Sequence, residues 1–372
     1  MASRTRILVL LSAAIVLAIA LGGGVRRCKP SAFMLPNERR ARASVVQILF
    51  LRGRVLIRNE RSDLFASDDD GNSWRALSDK PETLSVANGN DLWGAHGWPG
   101  RHEGPSARIW YSADRGETWS RTEIELPKDR SEPLFPRLPA AFVHEPGDPP
   151  LLLMSDFQLV RPELVARSST WKRLGSPIPG LRPSRGTIDS SAAGRQYRGS
   201  IYVASAGSIF FSGDEGVTWA MRPVHSFMDA QIRCRASACY ALLMQLGSEW
   251  NGLVTTPAGT NDWTSSTTFD LATVARALTA DGRHGAVKRF GATAMVPTDD
   301  GVYVAGIVDA GEQAWGAVLL VDRDGAITSV GHGVPEGLWV LEQAPDGTLW
   351  AGGRGAYRLQ GGQWVSTWSA SN

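Results

Sequence analysis

Three stretches of the chain carry one octapeptide: Ser67-Asp68-Asp69-Asp70-Gly71-Asn72-Ser73-Trp74, Ser112-Ala113-Asp114-Arg115-Gly116-Glu117-Thr118-Trp119 and Ser212-Gly213-Asp214-Glu215-Gly216-Val217-Thr218-Trp219. The shared form is Ser-x-Asp-x-Gly-x-Ser/Thr-Trp. Each copy follows a strand-like run: Leu64-Phe65-Ala66, Ile109-Trp110-Tyr111 and Ile209-Phe210-Phe211. This is hairpin-turn chemistry. The Asp carboxylate can accept N–H groups within the turn, and Gly supplies the positive φ. The Trp restarts an outer strand and packs its ring on a neighbouring sheet. A turn that recurs in this way marks a repeat protein, in which each unit buries its apolar face only against the next.

Degenerate copies extend the series. Arg167–Trp171 and Thr256–Trp263 keep the Trp but not the Asp/Gly core. The ladder runs Trp74, Trp119, Trp171, Trp219, Trp263 and Trp364, at intervals of 44 to 52 residues with one double interval before Trp364. The missing unit reads Gly301-Val302-Tyr303-Val304-Ala305-Gly306, then Ala317–Val321 and Asp322-Arg323-Asp324-Gly325. The last unit contains Leu349-Trp350-Ala351, Ala356-Tyr357-Arg358-Leu359 and Gln363-Trp364-Val365. Seven units of about fifty residues, each with four short strands, predict an all-β fold: a seven-bladed β-propeller of four-stranded antiparallel blades, which leaves only short, protected edges. The 40 glycines and 14 tryptophans agree with many turns and many aromatic packing sites. No linker or break in composition divides the array, so 45–368 reads as one domain.

The octapeptide resembles the Asp-box, or BNR repeat, of sialidase-like and related propellers, which is found also in photosystem II assembly-factor-like propellers, sortilin-type receptor domains and some glycanases. The resemblance covers residues 45–368. It implies that the boxes lie at the turn between the third and fourth strands of a blade, away from the ligand-binding face. Asp69, Gly71, Trp74, Asp114, Gly116, Trp119, Asp214, Gly216 and Trp219 are then architectural. Cys234 and Cys239 bracket Arg-Ala-Ser-Ala between two apolar runs. That is a tight hairpin, with the cysteines close enough for a cross-strand disulfide in an oxidising compartment or for two free thiols in a reducing one. The unit also resembles a recurrent blade of bacterial propellers in which paired cysteines join the first two strands.

The N-terminus reads as a targeting segment. Arg4 and Arg6 precede an unbroken apolar run, Ile7 to Leu21, and then three glycines. Residues 1–25 read as a signal peptide, cleaved after Ala20, or as an uncleaved signal anchor. Arg26 and Arg27 before Cys28 rule out a lipoprotein site. Residues 26–44 follow as a basic juxtamembrane linker, the start of a collar that reaches residue 61 with ten basic residues against Glu38 and Glu60. Such a run reads as a solvated spacer, or as a contact for anionic lipid or polymer. The rest, 62–372, holds 27 basic and 35 acidic residues. A chain at +2 overall is not a dedicated nucleic-acid binder. The expected location is extracytoplasmic, periplasmic or secreted, with the membrane a partner only through the N-terminal segment.

The enzymatic alternative is a sialidase-like exo-glycosidase or another carbohydrate-active hydrolase. The sialidase resemblance would require three arginines on a substrate carboxylate, a Tyr nucleophile with a Glu partner, and an Asp acid/base. The family's Phe/Tyr-Arg-Ile-Pro motif before the first box is replaced by Leu51-Arg52-Gly53-Arg54, and Phe135-Pro136-Arg137-Leu138-Pro139 comes only after the second. Tyr111, Tyr202, Tyr240, Tyr303 and Tyr357 occupy repeated strand positions, and Tyr197 falls in a hairpin on the box face. Neither Asp68-Asp69-Asp70 nor Asp322-Arg323-Asp324-Gly325 continues into a calcium loop. No catalytic residue, cofactor or metal site is therefore expected. The connection 95–107 is the longest polar and aromatic insertion. It presents Trp98, Arg101, His102 and Glu103 on the face opposite the boxes, as a platform for a glycan or peptide or as an ordinary variable loop. Leu271–Leu278 reads as a short amphipathic helix on the rim. The expected function is non-catalytic binding of a protein or glycan in the cell envelope.

Overall fold

The computed structural model describes residues 44–77, 83–87, 89–95, 107–124, 139–143, 151–154, 158–165, 168–179, 193–197, 199–205, 207–224, 227, 229–244, 251–280, 287–311, 313–332, 334 and 336–369. Twenty-eight strands form seven four-stranded antiparallel sheets, one for each predicted unit. Blade 1 spans 45–77, blade 2 83–124, blade 3 139–174, blade 4 193–223, blade 5 229–268, blade 6 289–329 and blade 7 340–369. In every blade the strands hydrogen-bond in chain order, so each blade is a meander. The chain is a seven-bladed β-propeller.

Burial follows from strand position. The second strand of blade 4, β14 (Ser200–Ser205), is buried at every residue, because both of its faces pack on neighbouring blades. The outer strand of the same blade, β16 (Ala220–Pro223), is exposed at every residue. The core is therefore a set of apolar interfaces between blades. One joins Leu242 and Leu253 of blade 5 to Phe290, Val302, Val304 and Leu319 of blade 6.

The ring closes by lateral packing between blades 7 and 1, each built from its own consecutive strands. Val45, Ile48 and Ile57 pack with Val340, Trp350 and Ala356. The Val45 N–H donates to Gly353 O (2.6 Å), and Arg358 Nη1 donates to Asp70 O (2.9 Å).

The basic collar is not a uniform solvated spacer. Arg54, on β2 (Arg54–Asn59), is only 6% exposed. Its guanidinium is bidentate to Asp68 (2.6 and 3.0 Å) and reaches Glu117 of blade 2 (2.7 Å). Arg75 also pairs with Glu117. Two arginines and two carboxylates thus join blades 1 and 2. Burial opposes the charge on Arg54, but its hydrogen bonds to Asp68 and Glu117 outweigh that and raise its pKa.

The helix, α1 (Leu271–Ala280), runs two residues past its predicted end. Asp270 caps it by accepting the Thr273 N–H (2.9 Å) and hydroxyl (2.8 Å). Val274, Ala277 and Leu278 form its apolar stripe and enter the interface between blades 5 and 6. It lies in the connection between those blades.

Candidate functional site

The octapeptide turns join the third and fourth strands of blades 1, 2 and 4. In the second copy, Asp114 Oδ1 accepts the Thr118 N–H (2.9 Å) and Oδ2 the Thr118 hydroxyl (2.5 Å). The Ser112 hydroxyl donates to Asp114 (2.7 Å) and accepts the Gly116 N–H (2.8 Å). Asp69 and Asp214 repeat the pattern. Two details go beyond the sequence reading. The deeply buried members are Ser67, Ser112 and Ser212, at 1% exposure, while the aspartates lie nearer solvent. The residue before each Gly also takes positive φ: Asp70 at 56°, Arg115 at 59° and Glu215 at 59°.

The ladder tryptophans pack backwards. Trp74 Nε1 donates to Thr367 O of blade 7 (2.9 Å), Trp219 to Ser176 O beyond blade 3 (3.3 Å) and Trp364 to Val330 O beyond blade 6 (3.0 Å). Trp119 lies on the blade 1 cluster of Leu51, Leu56 and Leu64. Trp171 differs, standing fourth in β12 (Ser168–Leu174) instead of just before its outer strand. In the corresponding turn of blade 5 the Gly259 N–H donates to the Tyr202 hydroxyl of blade 4 (2.7 Å). These residues hold blade to blade.

On the octapeptide face, the inner strands of blades 5 to 7 form a charged channel mouth. Arg233, on β17 (Asp229–Arg235), pairs with Glu342, on β25 (Val340–Gln343), across the intervening blade 6. Arg235 is bidentate to Asp299 (3.0 Å each) and donates to Gln343 Oε1 (3.2 Å). The Asp299 carboxyl is held below its usual range by the Arg235 hydrogen bonds. Cys234 stands between these arginines and is disulfide-bonded to Cys239, its cross-strand partner, with Cα atoms 4.0 Å apart.

The opposite face carries a different arrangement. Strands alternate in direction, so the turns between second and third strands and the connections between blades emerge there. Trp339 precedes β25 and is 43% exposed, among the few large apolar side chains so placed in the described residues. Its N–H donates to Gly352 O (2.7 Å), which puts it beside the turn containing Arg354. Arg354 Nε lies 3.2 Å from Glu336 Oε2, and the Tyr357 hydroxyl donates to Glu336 Oε1 (2.9 Å). Burial, then the Glu336 hydrogen bond, drive the Tyr357 pKa well above its ordinary value.

The loop residues Trp98, Arg101, His102 and Glu103 lie outside the described residues, as do Cys28 and the apolar N-terminal segment. The connection they occupy leaves β6 (Asp91–Ala95) and enters β7 (Ala107–Ser112), so both its ends lie on the Trp339 face. Sequence reasoning missed Trp339, Glu336 and Arg354. The available signal was a tryptophan out of step with the ladder, in Glu336-Gly337-Leu338-Trp339. No group of metal-binding side chains occurs among the described residues, and no described helix is long and apolar enough to cross a membrane.

This is a propeller with a charge-locked mouth on one face and, on the other, an exposed tryptophan whose backbone pairs with the strand that leads to Arg354. No protein-family model and no curated protein sequence matches it. Solved structures do. YCF48 from Cyanidioschyzon merolae matches at 13% identity and TM-score 0.52, over 86% of this chain and 94% of that one. YCF48 bound to D1 peptide matches at 13% identity and TM-score 0.55, over 84% and 89%. A GH74 xyloglucanase from Xanthomonas campestris matches at 15% identity and TM-score 0.58; the match covers 88% of this chain but 55% of the enzyme. At these identities the likeness is one of fold.

Proposed function

We propose that this chain is an exported, non-catalytic propeller of the Asp-box type that binds a protein or glycan partner in the cell envelope through the face opposite the octapeptide turns. The observation that carries this reading is Trp339, exposed on that face, with its backbone bonded to Gly352 two residues before Arg354. Tryptophan and arginine are the side chains that most often dominate interfaces. A solved neighbour of the same fold was captured with a peptide, which supports a protein partner. The connection with Trp98, Arg101, His102 and Glu103 opens on the same face and would extend the surface. The N-terminal segment would export the chain and, if uncleaved, tether it.

A second reading, a glycoside hydrolase, draws on Tyr357 with its Glu336 partner and on the xyloglucanase neighbour. The electrostatics favour the binder. A nucleophilic or general-acid site needs groups poised near the working pH. Tyr357 is instead buried with its pKa raised, and it stands on the third strand of its blade, away from the channel.

The test is co-purification and a glycan array with the full chain, compared with Trp339→Ala and Arg354→Ser. Loss of at least tenfold in affinity for the captured partner, with sialoside and xyloglucan hydrolysis at background, is the expected result. Turnover that disappears in Tyr357→Phe would establish the hydrolase instead.

A further inference from the structure

Blades 1, 2 and 4 carry an octapeptide between their third and fourth strands, and blade 7 does not. There β27 (Gly355–Gln360) returns into β28 (Gln363–Ser369) through Gly361 and Gly362 alone, at φ 54° and 78°. Two successive positive φ values make a tight hairpin turn that glycine adopts without strain. The short turn leaves the rim low on the octapeptide face, and a cavity of ≈ 420 Å³ opens there between blades 6 and 7.

The cavity has an apolar floor and an acidic rim. Leu349 is buried, and Tyr303 and Leu359 are half-buried against the cluster that packs blade 6 on blade 7. Above them stand Asp300, in the turn between β21 (Arg289–Pro297) and β22 (Gly301–Asp309), and Asp346, in the turn before β26 (Leu349–Gly352). Both are exposed. Among the described lining residues none is basic. Arg235 and Arg323 approach from outside, but both bond to Asp299. Asp300 adds to the field at Arg235 without a hydrogen bond or ion pair to any described residue. Asp346 accepts the Thr348 N–H of its own turn (2.9 Å). Burial, and then the Asp300 charge, raise the Tyr303 pKa, so its hydroxyl stays protonated. The volume lies within the range of ligand sites.

We propose that this cavity takes an arginine side chain from a peptide segment of a protein partner, with its methylene stem on the apolar floor and its guanidinium against the Asp300 and Asp346 carboxylates. A metal ion or a small cation would leave the floor unused, whereas a long amphipathic cation covers floor and rim together. A guanidinium suits the place better than an ammonium. It is planar, it can lie on the Tyr303 ring, and its five donors can serve carboxylates on two separate turns at once. The site is on the face opposite Trp339, so either can fail without the other.

A display library of random heptapeptides tests this, panned in parallel on the full chain and on the same chain carrying Asp300→Asn and Asp346→Asn. An amide at position 346 still accepts the Thr348 N–H, so the turn is kept. Arginine-bearing peptides are expected from the native chain and not from the double variant. A synthetic copy of one should bind roughly tenfold or more weakly to the double variant, and as weakly to the native chain once its arginine is replaced by citrulline, which keeps the shape without the charge. Asp324→Asn, an exposed carboxylate on the same face outside the cavity, should leave binding unchanged, as should Trp339→Ala. No arginine-bearing set specific to the native chain, full binding by the citrulline peptide, or an equal loss in Asp324→Asn would each overturn the proposal.

Discussion

The octapeptide turn separates two roles that the sequence gives to a single Asp. The carboxylate organises the turn from the solvent side, while the Ser hydroxyl satisfies a buried Gly N–H. Removing the buried acceptor is the larger loss, because the donor left behind has no water to turn to. Ser112→Ala should destabilise the fold by roughly 1–3 kcal/mol. Asp114→Ala, whose partners reach solvent, should cost nearer the lower end, and both should retain ligand binding. Urea denaturation read by tryptophan fluorescence checks the ranking; the reverse order would show that the Asp is the principal support. These carboxylates also set an acid limit. Asp69 and Asp214 are held at about 2, chiefly by hydrogen bonds from Ser73 and Thr218. Their folded pKa lies below that of an unfolded Asp, about 3.9. Their contribution is therefore present above pH 4 and is lost as pH falls from about 4 toward 2. Melting temperature recorded through that window should drop, and the combined Asp69→Asn and Asp214→Asn variant should drop less steeply.

At the level of elements, the hairpin of blade 5 shows how a covalent bond and a charge pattern share one strand. Cys234 and Cys239 face each other across β17 and β18 (Ala238–Met244), so the disulfide fixes the register that aims Arg233 and Arg235 into the channel mouth. The closed loop is short, and loop-closure entropy makes it worth about 2 kcal/mol. Alkylation of the unfolded chain without reductant should label one cysteine, Cys28, and reduction should expose three. Cys234→Ser with Cys239→Ser should lower stability by about that amount. Two or three labelled thiols before reduction would mean the pair does not form in the protein as made. The hairpin was legible from the spacing of its cysteines, and α1 from its apolar period. The meeting of α1 with the outer strand of blade 6 (Ile327–Ser329) was not, because the two lie far apart in the chain and only the packing of the blades joins them.

On the scale of the whole molecule, stability rests on blade-to-blade contacts distributed around a closed ring. Arg54 links blades 1 and 2 from a nearly buried position, with partners that are themselves half-exposed. Arg54→Met should cost roughly 1–3 kcal/mol by leaving two carboxylates crowded without their shared cation. Trp350 seals the closure of blade 7 on blade 1, and Trp350→Ala should cost about 3–5 kcal/mol. If closure is general to the fold, hydrogen exchange in Trp350→Ala will accelerate across blades 1 and 7 together; acceleration confined to blade 7 would show the two to be independent. The sequence by itself determined the unit, its four strands, their order and the number of blades. Those follow from a local strand pattern that recurs seven times and from a turn chemistry that is intact in three of the units. Only the tertiary structure decided which distant residues meet. Trp74 reaches Thr367, Arg233 reaches Glu342, and the Trp339 N–H reaches Gly352. Such meetings depend on how radially packed sheets place their inner strands and connections around one channel, a geometry that no local pattern of residues encodes.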